Sequence, residues 1–166
     1  MLLTRGLAMV ARDADFPSPL VLPNGYCAQE LVNFLLCGRA YSNVFDGERV
    51  VGLGASYGGY TSNWLNGNAP KGMFKALVCH CGTFDLRSSY YSTEELFFME
   101  HEFGGTPHEP AAREAASPYV RCTPSAKVDQ WETPTLVIHG AKDFRLVESE
   151  GIATFTALQR RGVPSE

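Results

Sequence analysis

The chain has 166 residues, 45% of them hydrophobic and 19% charged, with 14 basic residues against 18 acidic ones and a formal charge of −4. That balance describes one globular domain long enough to hold a core, and it excludes collagen-like, fibrous and wholly disordered chains. The negative charge provides no basic footprint for a phosphate backbone, so nucleic acid is not an expected partner.

No apolar stretch approaches the roughly eighteen residues of a membrane span, and the longest candidate, residues 31–37, is interrupted by Asn33, so no membrane partner is expected. Residues 1–11 carry one positive charge and an apolar stretch at the lower limit of a secretory leader, and are not read as one. Five cysteines are an odd number, and Cys79 and Cys81 lie too close in sequence for an ordinary disulfide, so no disulfide framework is implied.

Residues 1–25 carry Pro17, Pro19, Pro23 and Gly25 without a sustained period, which predicts irregular structure. Over 26–39, Leu31, Phe34 and Leu35 fall on helical spacing and Gly38 provides a stop, which predicts a helix. The β-branched run over 49–53 predicts a buried parallel strand; a glycine-rich turn follows, then a helix to about Asn66. Residues 74–80 and 135–139 read as two further strands. Between them Ser92 and Glu95 have capping-box spacing and predict a helix starting at Ser92. A last helix runs over 148–161, where two arginines followed by Gly162 mark its C-terminus. Strands separated by helices imply an α/β fold, a parallel sheet with helices on both faces. We expect one domain: residues 1–40 are an N-terminal segment with one helix, and 41–166 carry the sheet.

Gly54-Ala55-Ser56-Tyr57-Gly58 fits G-x-S-x-G, and it lies between a predicted strand and a predicted helix. In such an elbow a sharp turn thrusts the serine Oγ above the sheet edge, and Gly54 and Gly58 leave room for the flanking chain. Ser56 then lies at a helix N-terminus, where the Tyr57 N–H would help hold an oxyanion. A serine hydroxyl needs a base, and the base needs an orienting acid. In the chain order Ser, Asp or Glu, then His, the acid belongs in the loop after a later strand, and Asp143 follows the strand over 135–139 by such a loop. Cys79-His80-Cys81, with Cys122, offers metal-ligating residue types. Side chains alternate along a strand, however, so His80 points away from the two thiols and no metal is expected. Phe97, Phe98 and Phe103 fall at helical spacing and are expected in the core rather than in a substrate pocket.

The stretch from Asp46 through Ser56 to Tyr60, the run Phe74-Lys75-Ala76-Leu77-Val78-Cys79-His80, and the run from Trp131 to Leu146 resemble the catalytic domain of the prolyl oligopeptidase family of serine peptidases. Glu94-Glu95-Leu96-Phe97-Phe98 and the ending from Ser149 narrow the resemblance to the fungal dipeptidyl-peptidase 5 branch, and it runs from about Tyr41 to Glu166. It implies an α/β-hydrolase domain, here partial, with Ser56 as nucleophile, Asp143 as triad acid and Tyr57 at the oxyanion. It also implies release of dipeptides from peptide substrates through an acyl-enzyme, no metal or organic cofactor, and a commonly secreted protein.

The family's base is a histidine some tens of residues beyond the acid, and the sequence given ends at Glu166. His139 matches a family position that is not the base, His80 precedes the acid, and His101 and His108 lie in the insertion between strands. The family's N-terminal β-propeller and its His-Gly-Gly motif also have no counterpart here, which would leave one edge of the first strand open. Losing the base alone costs a serine protease about 10⁶ in kcat, so the chain as written is expected to have no useful activity. Two other readings stay open: an acylaminoacyl peptidase or carboxylesterase, because G-x-S-x-G does not choose between amides and esters, and a non-enzymatic pseudohydrolase remnant.

Overall fold

The computed structural model describes residues 2–4, 7–9, 49–114 and 117–166. At the start, β1 (Leu2–Thr4) and β2 (Leu7–Met9) pair antiparallel with Leu3 opposite Ala8, which corrects the irregular structure expected at those six positions; the rest of residues 1–25 lies outside the described residues. Strands of three residues are too short for an alternation to show in the sequence. The helix expected over 26–39 lies outside the described residues.

The apolar, β-branched runs form the expected strands. β3 (Val50–Ala55), β4 (Phe74–His80) and β5 (Thr135–Ile138) make a parallel sheet in that order. The register sets Ala55 beside His80 and His80 beside Ile138, so all three strands end at one edge, from which the loops of interest leave. Beyond β5 the pairing continues: the Thr135 N–H donates to the Pro164 carbonyl at 3.0 Å and the Val137 N–H to the Glu166 carbonyl at 2.7 Å. Among the described residues β3 pairs with no strand on its other side.

Among the described residues five α-helices accompany the sheet: α1 (Tyr57–Asn68), α2 (Leu86–Ser92), α3 (Leu96–Phe103), α4 (Pro118–Arg121) and α5 (Glu148–Arg160). The capping box expected at Ser92 and Glu95 does not form. Ser92 is instead the last residue of α2, and its Oγ donates back to the Ser88 carbonyl at 2.8 Å. The expected helix is α3, which begins at Leu96 with no side-chain cap, whereas α2 before it is capped by Asp85, whose Oδ1 accepts from the Arg87 and Ser88 N–H groups. Gly162 follows α5 at φ 71°, the left-handed stop its sequence suggests.

Helices α1 and α5 cover the sheet face that carries Leu77, Cys79, Thr135 and Val137, and polar side chains join the layers. Asn66, in the last turns of α1, accepts from the Glu132 and Thr133 N–H groups through Oδ1 and donates through Nδ2 to the Thr133 carbonyl and Thr135 Oγ1. Asn63 donates to the Thr83 carbonyl and to Thr154 Oγ1 of α5. Glu150, 1% exposed, accepts the Phe84 and Asp85 N–H groups through Oε2 and so pins the loop after β4. Around them, Trp131, Leu158 and Val163 form one apolar cluster, and Val50, Leu65, Met73, Phe74 and Leu77 form another.

The turn from β3 into α1 is crowded at particular points. A Cβ on Gly54 would lie 2.0 Å from the Gly58 carbonyl oxygen, and one on Gly59 would lie 2.6 Å from the His80 carbonyl oxygen. A Cβ on Gly58 would meet nothing within 4 Å. The steric demand therefore falls on Gly54 and on Gly59, which lies outside the G-x-S-x-G letters.

In urea unfolding, Gly54→Ala and Gly59→Ala should each cost about 2 kcal/mol or more, because backbone rather than a flexible side chain must move. Gly58→Ala should be neutral or stabilising by up to about 1 kcal/mol, as for a helical glycine in open space. Asn66→Ala should cost about 2–3 kcal/mol in the same measurement, because it strands buried backbone groups of Glu132 and Thr133.

Candidate active site

Ser56 is the first residue past β3. Its backbone has φ 56° and ψ −117°, a conformation that costs a non-glycine residue on the order of 1–3 kcal/mol and persists only where the surroundings enforce it. The surroundings do so from both sides. The Ser56 N–H donates to the His80 carbonyl at 2.9 Å, extending the sheet by one bond, and the Ser56 carbonyl accepts from the Tyr60 N–H at 3.0 Å, beginning α1. Tyr57 opens α1, so its N–H belongs to the positive end of the helix dipole beside the Ser56 side chain.

The group that touches Ser56 Oγ is Arg145, whose Nη2 donates to it at 3.4 Å in a solvent-exposed position. A guanidinium stays protonated at any ordinary pH and has no acceptor lone pair, so it cannot take the hydroxyl proton. All four histidines of the sequence lie among the described residues, and none hydrogen-bonds Ser56 Oγ. His80 is exposed at the end of β4, and His101 and His108 are exposed around the end of α3. The His139 ring nitrogen Nε2 bonds the Leu146 carbonyl at 2.6 Å.

Asp143 lies in the loop after β5, at the same sheet edge as Ser56. Its Oδ1 accepts from the Arg145 N–H at 3.1 Å and the Leu146 N–H at 2.9 Å. Partial burial alone would push this carboxyl up. The Leu146 N–H, the Cys81 thiol, the Arg145 N–H and the nearby His139 together outweigh burial and hold it below the usual aspartate value. The acid is thus ionised, fixed by backbone and engaged by a thiol.

That thiol was not singled out as a partner of the acid in the sequence. Cys81 is the first residue past β4, at φ 46°, and its N–H donates to the Ile138 carbonyl at 2.8 Å, repeating one strand over the arrangement of Ser56. Burial pushes the Cys81 thiol up, and the nearby Asp143 carboxylate pushes it further. Cys79 faces the other way: it is buried against the Gly59 carbonyl at 3.5 Å, and burial raises its thiol to about 12. Cys122 is buried in a separate cluster with Tyr60 and Tyr119. The run Cys79-His80-Cys81 therefore does not converge, but Cys81, His139 and Asp143 do, with one ligand-type atom from each lying within 4.8 Å of the others.

The aromatic expectation is half corrected. Phe103 packs into the core against Tyr119 with ring centroids 4.9 Å apart, but Phe97 is 71% exposed and Phe98 is exposed as well. The helix is short, and its buried side is supplied by Met99, which leaves both phenylalanines outward. Phe144, next to the acid, is also exposed, and its carbonyl accepts the Glu94 N–H at 3.1 Å, which ties the turn between α2 and α3 to the acid loop.

Known proteins resemble the chain in sequence and in fold. The model of the prolyl oligopeptidase family matches residues 26–166. Dipeptidyl-peptidase 5 of Schizosaccharomyces pombe is 52% identical over 120 residues, covering 72% of the chain and 17% of that protein. Dipeptidyl-peptidase 5 of Porphyromonas gingivalis is 43% identical over 121 residues, covering 73% of the chain and 17% of that protein. The chain spans about a sixth of the length of these curated relatives. Among solved structures, Pyrococcus horikoshii acylaminoacyl peptidase superposes with a TM-score of 0.71 at 22% identity, over 83% of the chain and 22% of that structure, which shows a shared α/β-hydrolase fold. Sequence match and shared fold lead to one conclusion: the chain belongs to the prolyl oligopeptidase family.

Proposed function

We propose that the chain is part of a serine peptidase of the dipeptidyl-peptidase 5 kind, in which Ser56 is the nucleophile, the Tyr57 N–H an oxyanion donor and Asp143 the acid that orients the base. The observation that carries this reading is the strained Ser56 at the mouth of α1, on the same sheet edge as a backbone-fixed carboxylate. Ser56 Oγ would attack the carbonyl carbon of a peptide, and the developing oxyanion would find the Tyr57 N–H and the helix dipole. The hydroxyl proton must pass to an imidazole, and the four histidines of this chain do not supply one. Hydrolysis by residues 1–166 as they stand is therefore expected at background level: without the base, an oxyanion hole and binding leave roughly 10³–10⁴ over water.

Peptide substrates, and release of dipeptides in particular, are supported by relatives that are 43–52% identical and carry that name. The exposed rings of Phe97, Phe98 and Phe144 fit apolar side chains on such a substrate. An acylaminoacyl peptidase reading rests on fold likeness at 22% identity and has no further support.

The test is covalent labelling of Ser56 by a dipeptidyl phosphonate, read by peptide mass spectrometry with and without added imidazole. Without imidazole no labelling is expected; with it, slow labelling at Ser56 should appear and vanish in Ser56→Ala. Rapid labelling in the absence of imidazole contradicts the missing base, and labelling at another residue contradicts the assigned nucleophile.

A further inference from the structure

Cys81, His139 and Asp143 come from the ends of two adjacent strands and the loop that follows, and each offers a different donor type: sulfur, imidazole nitrogen and carboxylate oxygen. We propose that these three residues bind a thiophilic divalent cation such as zinc, at a site beside rather than within the Ser56 elbow.

Three observations carry the proposal. First, the donor atoms lie within 4.8 Å of one another. Zinc bonds of about 2.3 Å to sulfur and about 2.0–2.2 Å to nitrogen and oxygen place tetrahedral ligand atoms roughly 3.3–3.8 Å apart, so the three need to draw together by no more than about 1.5 Å. Second, the His139 tautomer is set. Nε2 faces the Leu146 carbonyl at 2.6 Å, and because a carbonyl only accepts, Nε2 must carry the proton. In the neutral ring Nδ1 keeps its lone pair, and it is buried without a hydrogen-bond partner among the described residues. An imidazole whose other N–H is held by a backbone carbonyl is the form in which histidine binds metals. Third, the Asp143 Oδ1 is already held by the Arg145 and Leu146 N–H groups, so the carboxyl group is oriented before any cation arrives.

Binding replaces the proton of the Cys81 thiol with the metal and releases that proton to solvent; sulfur, nitrogen and oxygen occupy three positions and water the fourth. No electron is transferred. A metal held there would also take Asp143 away from any imidazole it orients. This consequence for catalysis rests on the proposed role of Asp143, whereas the binding does not.

Cobalt(II) is the probe. It is titrated into the 166-residue chain carrying Cys27→Ser and Cys37→Ser, so that thiols outside the described residues add no sites. One equivalent should give thiolate-to-cobalt charge-transfer absorption that is absent in Cys81→Ser, weakened about tenfold or more in Asp143→Asn, and unchanged in Cys122→Ser. In the unsubstituted chain, zinc should slow alkylation of Cys81 by iodoacetamide, followed cysteine by cysteine by mass spectrometry, and this arm decides if a substituted chain fails to fold. Absorption that survives Cys81→Ser, or alkylation of Cys81 at the same rate with and without zinc, overturns the site. Neither readout involves Ser56, so failure of the peptidase reading would leave both unchanged.

Discussion

The backbone of Ser56 is held where a serine does not rest by choice. Its φ of 56° is enforced by the His80 carbonyl on one side and by the first turn of α1 on the other, with the chain closing so tightly that Gly54 and the Gly58 carbonyl leave no room for a Cβ between them. That closure puts Oγ at the carboxyl edge of the sheet and the helix dipole beside it. The parallel register of β3, β4 and β5 then brings the β5 loop, with Asp143, to the same edge. Everything chemical in the described chain follows from that alignment.

The charge around the serine is what separates a placed nucleophile from a working one. The contact to Oγ comes from Arg145, a permanent cation on an exposed side chain, which stabilises negative charge but accepts no proton. Among the described residues no imidazole makes that contact, and the Cys81 thiol lies beside the Asp143 carboxylate. The same edge therefore holds a serine with a cation and an aspartate with a thiol. Among the described residues, that edge brings a serine and a carboxylate together with no imidazole hydrogen-bonded to the serine.

The strands, the tight turn at Ser56 and the place of Asp143 beyond the last strand were legible in the sequence because each is a local signal: a β-branched run, a glycine-flanked serine, a carboxylate just beyond a strand. What stayed hidden depends on contacts between distant positions. Nothing near Asn63, Asn66 or Glu150 announces that these polar groups would be buried to hold loops more than sixty positions away or, for Asn63 and Thr154, a second helix. Arg145 reaches Ser56 across 89 positions, and Cys81 meets Asp143 only once β4 and β5 are paired. Ser92 misled because a separate helix, capped by Asp85, ends there, and the expected helix begins only at Leu96. Phe97 misled because helical spacing predicts a buried face only where a partner surface exists to cover it.

The most direct measurement of the central constraint compares two substitutions at one position, both of which remove the hydroxyl. With Ser56 enforced at positive φ, Ser56→Gly should be more stable to urea than Ser56→Ala by about 1 kcal/mol, because glycine adopts the turn without strain. In an ordinary extended or helical setting the order reverses, since alanine then gains from the smaller entropy of its unfolded chain. An alanine variant as stable as the glycine one, or more so, would contradict the elbow and with it the placement of the nucleophile.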